Sequence, residues 1–300
     1  MKAHLDPVAW KRKVRIRRII LIALAVLLTA AGVTLFLLRN RIIPAIRYSA
    51  AEGKADRGRI TEAIDGFALL GTYRDANARA SALAYGLQQD DTLKKEFRNA
   101  SPGDIVEFGR YEQDNNAANG AEPIRWIVLA KQDGRFLLWS EKVLDGKPYH
   151  DTKEDVTWET SSLRKWLNGT FLNTAFTNEE QALIALTVLK NKANPAVGTP
   201  GGKDTKDRAA ILSFDELILY GLHASFLEGI WAEPTDYAVA QGVERHQWYG
   251  TAMWWMRTPG QEPSHVVYCD MGGQPLYNAP ATREHFGIRP IIWVFIPNAD

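Results

Sequence analysis

The chain has 300 residues, 46% hydrophobic and 24% charged, the balance of a folded protein and not of a disordered one. Its formal net charge of +1 hides a split: residues 1–18 carry Lys2, Lys11, Arg12, Lys13, Arg15, Arg17 and Arg18 against Asp6 alone, a net of +6, so 29 of the 36 basic and 34 of the 35 acidic residues remain for the body, a net of −5. A body of that sign argues against nucleic acid as a partner, because phosphate neutralisation dominates such binding, and the single cysteine, Cys269, excludes both an intramolecular disulfide and a zinc site of the usual Cys spacing.

Ile19 to Leu38 is twenty residues without a charge. A helix of that length spans the hydrocarbon core of a bilayer, and it satisfies its own backbone polar groups there. The run is longer than a signal-peptide core and ends in Leu38-Arg39-Asn40-Arg41, which offers no small-residue cleavage site. An uncleaved transmembrane helix is therefore expected. Seven basic residues precede it and three (Arg39, Arg41, Arg47) follow closely, so the N-terminus is expected to be cytoplasmic and residues 39–300 outside the cell.

Residues 45–95 are Ala-rich and read helical. After a break at Gly58, Ile60, Ala63, Ile64, Phe67 and Leu70 follow helical spacing, and Gly71 stands where a helix C-terminus favours glycine. Tyr73, Ala76, Ala80, Leu83, Ala84 and Leu87 form a further stripe. The segment Gly58–Phe67 with Leu70-Gly71-Thr72-Tyr73 resembles about one and a half units of a tetratricopeptide repeat. A solenoid needs at least three repeats for a continuous core, so a helical stalk over 39–97 is the plainer expectation and a peptide-binding groove the alternative, with the 45–95 helices as a contact in a membrane complex a third reading.

Ser101-Pro102-Gly103 marks a change to aromatic and β-branched residues, and nine of the ten tryptophans lie beyond it. A second domain is expected over 98–300, an α+β fold with an antiparallel sheet, short helices and long loops. Its predicted strands are Asp104–Gly109, Ile124–Lys131 and Arg135–Glu141, the last two joined by an Asp133-Gly134 hairpin turn. Leu163, Trp166 and Leu167 share a face of a short helix capped by Thr160 or Ser161 and ended by Asn168-Gly169. Thr177–Glu180 and Ser213–Glu216 are capping boxes, opening one helix to about Leu186 and another closed by Gly221. Asn191–Asp207 reads as a loop long enough to need a role, Ile211-Leu212 as a short strand, and Thr235–Gly242 as a further short helix. Trp254–Gly260, Val266–Asp270 and Gly287–Phe295 complete the strands, with Pro290 placing the start of the last at an edge or bulge.

Several of these pieces form a set: Asp104-Ile105-Val106-x-Phe108-Gly109-x-Tyr111, Ile124-x-Trp126-x-Val128-Leu129, Thr157-Trp158-Glu159-x-Ser161-x-Leu163-Arg164-x-Trp166-Leu167-Asn168, Leu212-Ser213-x-x-Glu216, Thr235-x-Tyr237-Ala238, Trp254-Trp255-x-Arg257-Thr258-Pro259-Gly260 and Gly287-Ile288-Arg289-Pro290. Over about 100–298 the set resembles an uncharacterised bacterial domain family found in surface and membrane-anchored proteins. That family is in turn distantly similar to the C-type-lectin-like and sulfatase-modifying-factor fold. The resemblance implies a display or recognition module and transfers no catalytic residue.

No catalytic, cofactor or metal residues are assigned. There is no Gly-x-Ser-x-Gly elbow, no His-Glu-x-x-His, and no phosphate-cradling glycine loop, and the adjacency of Ser264 and His265 does not by itself place hydroxyl on imidazole. The tryptophans remain. Trp255, Arg257, Trp248, Tyr249, Arg164 and Asn168 are the candidate ligand contacts, flat aromatic faces beside fixed donors. Trp158, Trp166, Trp254 and Arg289 are expected to be structural. In a strand Trp254 and Trp255 face opposite sides, and Arg257 either pairs with a carboxylate such as Glu159 or Asp270 or anchors a ligand. The weight falls on packing, since Trp is mostly buried. The expected partners are the lipid bilayer, through Ile19 to Leu38, and a carbohydrate, cell-wall or protein ligand. An extracytoplasmic enzyme acting on a wall or glycan substrate is the alternative.

Overall fold

A computed structural model describes residues 36, 38–57, 59–87, 97–132, 134–222 and 230–296. Among these no helix is long and apolar enough to cross a membrane. The predicted span Ile19–Leu38 falls outside them except for Phe36 and Leu38. The chain divides into two compact units, Met1–Arg79 and Ala80–Asp300.

The described residues of the first unit are helical, as the Ala-rich composition from residue 45 predicts. A single wide π turn, Leu38–Ile42, leads into α1 (Ile43–Asp56). Pro44 lies in the first turn of α1. Its ring crowds the carbonyl four residues back, and a widened turn at that place relieves the clash. α2 (Ile60–Ala68) is followed by Gly71 at φ +55, the left-handed stop read from the sequence. α3 spans Ala76–Leu87. Tyr48 and Ala51 of α1 are buried with Ala63, Ile64 and Phe67 of α2. The helices lie so close that a Cβ on Gly66 would come within 2.8 Å of the Ala51 Cβ. The Tyr48 ring meets Phe67 edge-on at 5.2 Å, and its hydroxyl donates to Asp75.

The second unit is α+β, with two five-stranded sheets. The first is ordered β1 (Ile105–Tyr111), β2 (Glu122–Gln132), β3 (Arg135–Ser140), β12 (Pro290–Phe295), β7 (Ala209–Ile211), all antiparallel. Gln132 pairs with Arg135, so the predicted two-residue hairpin forms, with Gly134 at φ +68. The second sheet is ordered β10 (Pro275–Pro280), β9 (His265–Cys269), β8 (Trp254–Pro259), β11 (Gly287–Ile288), β4 (Asp145–Gly146), with one parallel pairing, β8 to β11. Residues of both sheets share one core.

The final run is therefore not one strand. Gly287-Ile288 belongs to the second sheet and Pro290–Phe295 to the first, between β3 and β7, and Arg289 stands at the crossing. Pro290, lacking a donor, marks the change of sheet.

The capping boxes at Thr177/Glu180 and Ser213/Glu216 both form. The first helix stops at Leu183, short of the predicted Leu186, because Ile184 bridges to Val294 of β12. Asn168-Gly169 does not end its helix: Ser162–Trp166 continues through a π turn, Leu167–Phe171, into Leu172–Ala175. The long predicted loop contains β6 (Thr205–Asp207), which pairs with β5 (Thr187–Leu189). Asn194 pins that loop by donating to the Pro259 carbonyl at 2.7 Å.

Candidate functional site

All six residues of β8 are buried. Trp254 and Trp255 face opposite sides, as strand geometry requires. Trp254 meets Trp139 edge-on at 5.6 Å and donates Nε1–H to the Ile230 carbonyl. Trp255 packs on Tyr149 and Phe286 at 5.8 and 4.6 Å and donates to the Lys147 carbonyl. Neither indole is free for a ligand.

Arg257 makes a bidentate pair with Glu216, through Nη1 to Oε2 and through Nη2 to Oε1 at 2.6 Å, and also donates to the Ile211 carbonyl. Its partner is thus Glu216, not the expected Glu159 or Asp270. Glu216 serves twice, since the same carboxylate closes the capping box at Ser213. Among the described residues Arg289 has no carboxylate partner. Its guanidinium lies 3.3 Å from the Trp139 ring centroid and 5.3 Å from that of Trp254, and it donates to the carbonyls of Ser140, Glu141 and Ile230. Complete burial pushes its pKa down to about 9.

Arg164 and Asn168 are equally committed. Arg164 Nε donates to Asp207 at 2.7 Å, and Asp207 also accepts from Trp158 Nε1 and Thr205. The Asn168 amide imitates a strand: it donates to the Ala209 carbonyl and accepts from the amides of Arg208 and Ala209. Trp158 is buried, as expected, and the half-buried Trp166 packs on Phe171 under the Lys147 ammonium.

Trp248 and Tyr249 are placed quite differently, 80% and 64% exposed. They occupy a tight turn held from beneath by His246. Its Nδ1 accepts from the amides of both residues at 3.3 and 3.1 Å, and its carbonyl accepts from Gly250, which sits at φ +71. The imidazole stacks on the Tyr249 ring at 4.7 Å with 18° between planes, and Trp231 lies 6.1 Å away on a tilt. Gly273 lets the chain pass over Trp231, where a Cβ would come within 2.4 Å of the indole nitrogen. Gly250, the next residue after Tyr249, lines a cleft of about 430 Å³ with Asp114, Lys142, Glu233, Asp236 and Arg245. Arg245 is fixed there by Asp236 at 2.7 Å and the Pro234 carbonyl. A pair of aromatic faces thus stands beside an open cleft carrying oriented polar groups.

The loop between β1 and β2 also brings carboxylate oxygens of Glu112, Asp114 and Glu122 within 4.8 Å of one another. Of the described residues these are the group able to hold a metal ion. Each already accepts hydrogen bonds: Glu112 and Asp114 from the Asn116 amide, Asp114 from the Asn119 side chain, and Glu122 from the Gln113 amide. The Asn119 hydrogen bond is the main cause holding Asp114 below the ordinary carboxylate range.

Nucleophilic chemistry finds little support. Ser264 Oγ does approach His265 Nδ1, at 3.3 Å, closer than adjacency in sequence implied. Glu262 approaches the same nitrogen at 3.5 Å, whereas a triad needs serine and acid on opposite nitrogens. Cys269 is buried, and burial pushes its thiol up to about 12.

A family described as a domain of unknown function (DUF6273) matches residues 133–296. The chain belongs to that family. No curated protein and no solved structure matches it. The DUF6273 region opens at the β2–β3 turn and closes with β12, so it holds all six candidate ligand contacts but not β1, β2 or the acidic loop between them. An uncharacterised domain family is expected over about 100–298, and the match covers 133–296, which leaves Asp104–Tyr111 and Ile124–Leu129 outside it. Sequence reading missed Trp231, His246, Glu233 and Arg245 as neighbours of the aromatic turn. The available signal was local: two aromatics followed by a glycine at a turn have no strand period to bury them.

Proposed function

We propose that this chain is a recognition module anchored in a membrane by Ile19–Leu38, displayed outside the cell, and that it binds carbohydrate at the Trp248–Tyr249 turn. The observation that carries the reading is the pairing of two exposed aromatic side chains, on a turn whose backbone His246 fixes, with a polar cleft that begins at the next residue, Gly250. Pyranose rings present flat C–H faces to aromatic rings, and their hydroxyls suit Glu233, Asp236 and the Arg245 guanidinium. His246 fixes the turn through two amides, so little ordering remains to be done on binding. The anchor is supported by the uncharged twenty-residue run and the basic excess before it.

The test is binding of purified protein to insoluble cell-wall glycan and to an array of oligosaccharides, with Trp248→Ala and Tyr249→Ala beside the parent chain. Loss of binding in both variants, with unchanged unfolding temperature, supports the reading. Equal binding by parent and variants, or no glycan bound by the parent, removes the aromatic turn as a carbohydrate site.

A further inference from the structure

The first described helical turns carry a surface that the proposed function does not use. Phe36, Leu38, Ile42, Ile43 and Ile46 are all exposed, Phe36 at 63% and Ile46 at 65%. Ile46 lies three and four positions after Ile43 and Ile42, so the three share one side of the helix. Tyr48 and Ala51, three apart, share another side and are buried against α2. Among the described residues the isoleucine side is the exposed one. Arg39, Arg41 and Arg47 are interleaved with it, and all three are exposed. Between Asp6 and Glu52 the sequence has no acidic residue.

We infer that residues 39–47 form a collar that lies in the headgroup layer of an anionic bilayer, with the isoleucines in the acyl boundary and the arginines on lipid phosphates. This rests on the reading of Ile19–Leu38 as a membrane anchor. Three observations choose lipid over a protein groove. The face begins where the uncharged run ends, so the anchor delivers it to the interface. Its charge is all of one sign, complementary to anionic headgroups. Apolar and basic side chains alternate on one short stretch, the pattern of interfacial helices whose cationic stems snorkel. The wide turn Leu38–Ile42 before Pro44 overlaps the start of the collar and gives the helix a place to change direction there.

The experiment uses the full chain, with Cys269→Ser to remove the native thiol, reconstituted into vesicles of phosphatidylcholine alone or with an equal part of phosphatidylglycerol. An environment-sensitive fluorophore is attached at Ile46→Cys or, as a control on the exposed face of α2, at Ala68→Cys. Lipid-borne quenchers are expected to dim the label at position 46 several-fold more than the label at position 68, and more strongly in anionic vesicles. Arg39→Gln, Arg41→Gln and Arg47→Gln together are expected to abolish the anionic preference. A chain that floats with the vesicles while both labels remain equally unquenched overturns the collar and leaves the anchor standing. A chain that does not float overturns the anchor and the collar together.

Discussion

The chain holds two short segments with adjacent aromatics, Trp248-Tyr249 and Trp254-Trp255, only a few residues apart, and they have opposite fates. Trp254-Trp255 lies in a strand bonded on both edges, with each indole driven into a different part of the core and each N–H given to a carbonyl. Trp248-Tyr249 lies in a five-residue turn, 246–250, closed by Gly250, with both side chains exposed and the backbone tied to one histidine. The lesson is that an aromatic pair reads as packing or as a contact surface according to the backbone under it. A strand offers two faces, and here both are covered. A turn exposes what it carries unless another element comes to lie on it.

That contrast sets a graded series of tests. Trp254→Ala is expected to have the largest effect, a loss of about 3–5 kcal/mol for removing a fully buried indole, read by denaturant unfolding. Arg257→Met leaves the Glu216 carboxylate beside apolar surface without its partner and is expected to cost about 3 kcal/mol. The double variant with Glu216→Gln should recover part of that, and no recovery would show that the pair is not the source of the loss. Asp145 is buried and accepts from the Tyr111 hydroxyl and the Gly146 amide, yet burial outweighs these bonds and raises its pKa. A raised carboxyl pKa means stability that is full below the unfolded value and is lost as pH climbs through the folded one. Asp145→Asn is therefore expected to flatten a decline in unfolding temperature that sets in as pH rises above the ordinary carboxylate range, read by thermal unfolding across pH. Trp248→Ala should be the smallest, within about 0.5 kcal/mol. A large loss of stability there would erase the contrast between the two segments.

What could be read from the sequence was what is written locally. Both capping boxes, the Gly134 hairpin and the Gly71 helix stop depend on residues a few positions apart, and all are found. Opposite faces for Trp254 and Trp255 follow from strand period alone. The partner of Arg257 did not follow. Glu216 lies 41 residues away, and its capping role gave it a sufficient local explanation. Asn168 looked like a helix stop because Asn-Gly favours turns; the distant 208–209 backbone takes its side chain and lets the helix continue. The sheet change at Arg289 was hidden for the same reason: Gly287–Phe295 is one apolar run in sequence, and only the partners on either side divide it. The candidate site was half legible. Its aromatics were named, but so were four residues that serve the frame, because Trp and Arg look alike in a core and at a surface.

The crossing at Arg289 also bears on the order of events during synthesis. β12 is the last strand made, and it sits between β3 and β7 in the first sheet, while β11 sits between β8 and β4 in the second. Both sheets thus wait for residues 287–295 before their strands can close up, and the guanidinium that ties Ser140, Glu141 and Ile230 arrives with them. Until that stretch has left the ribosome, β3 and β7 of the first sheet, and β8 and β4 of the second, lack the strand that lies between them. The domain cannot close before residues 287–295 have been made, and a chain cut short before Gly287 leaves an interior strand missing from each sheet.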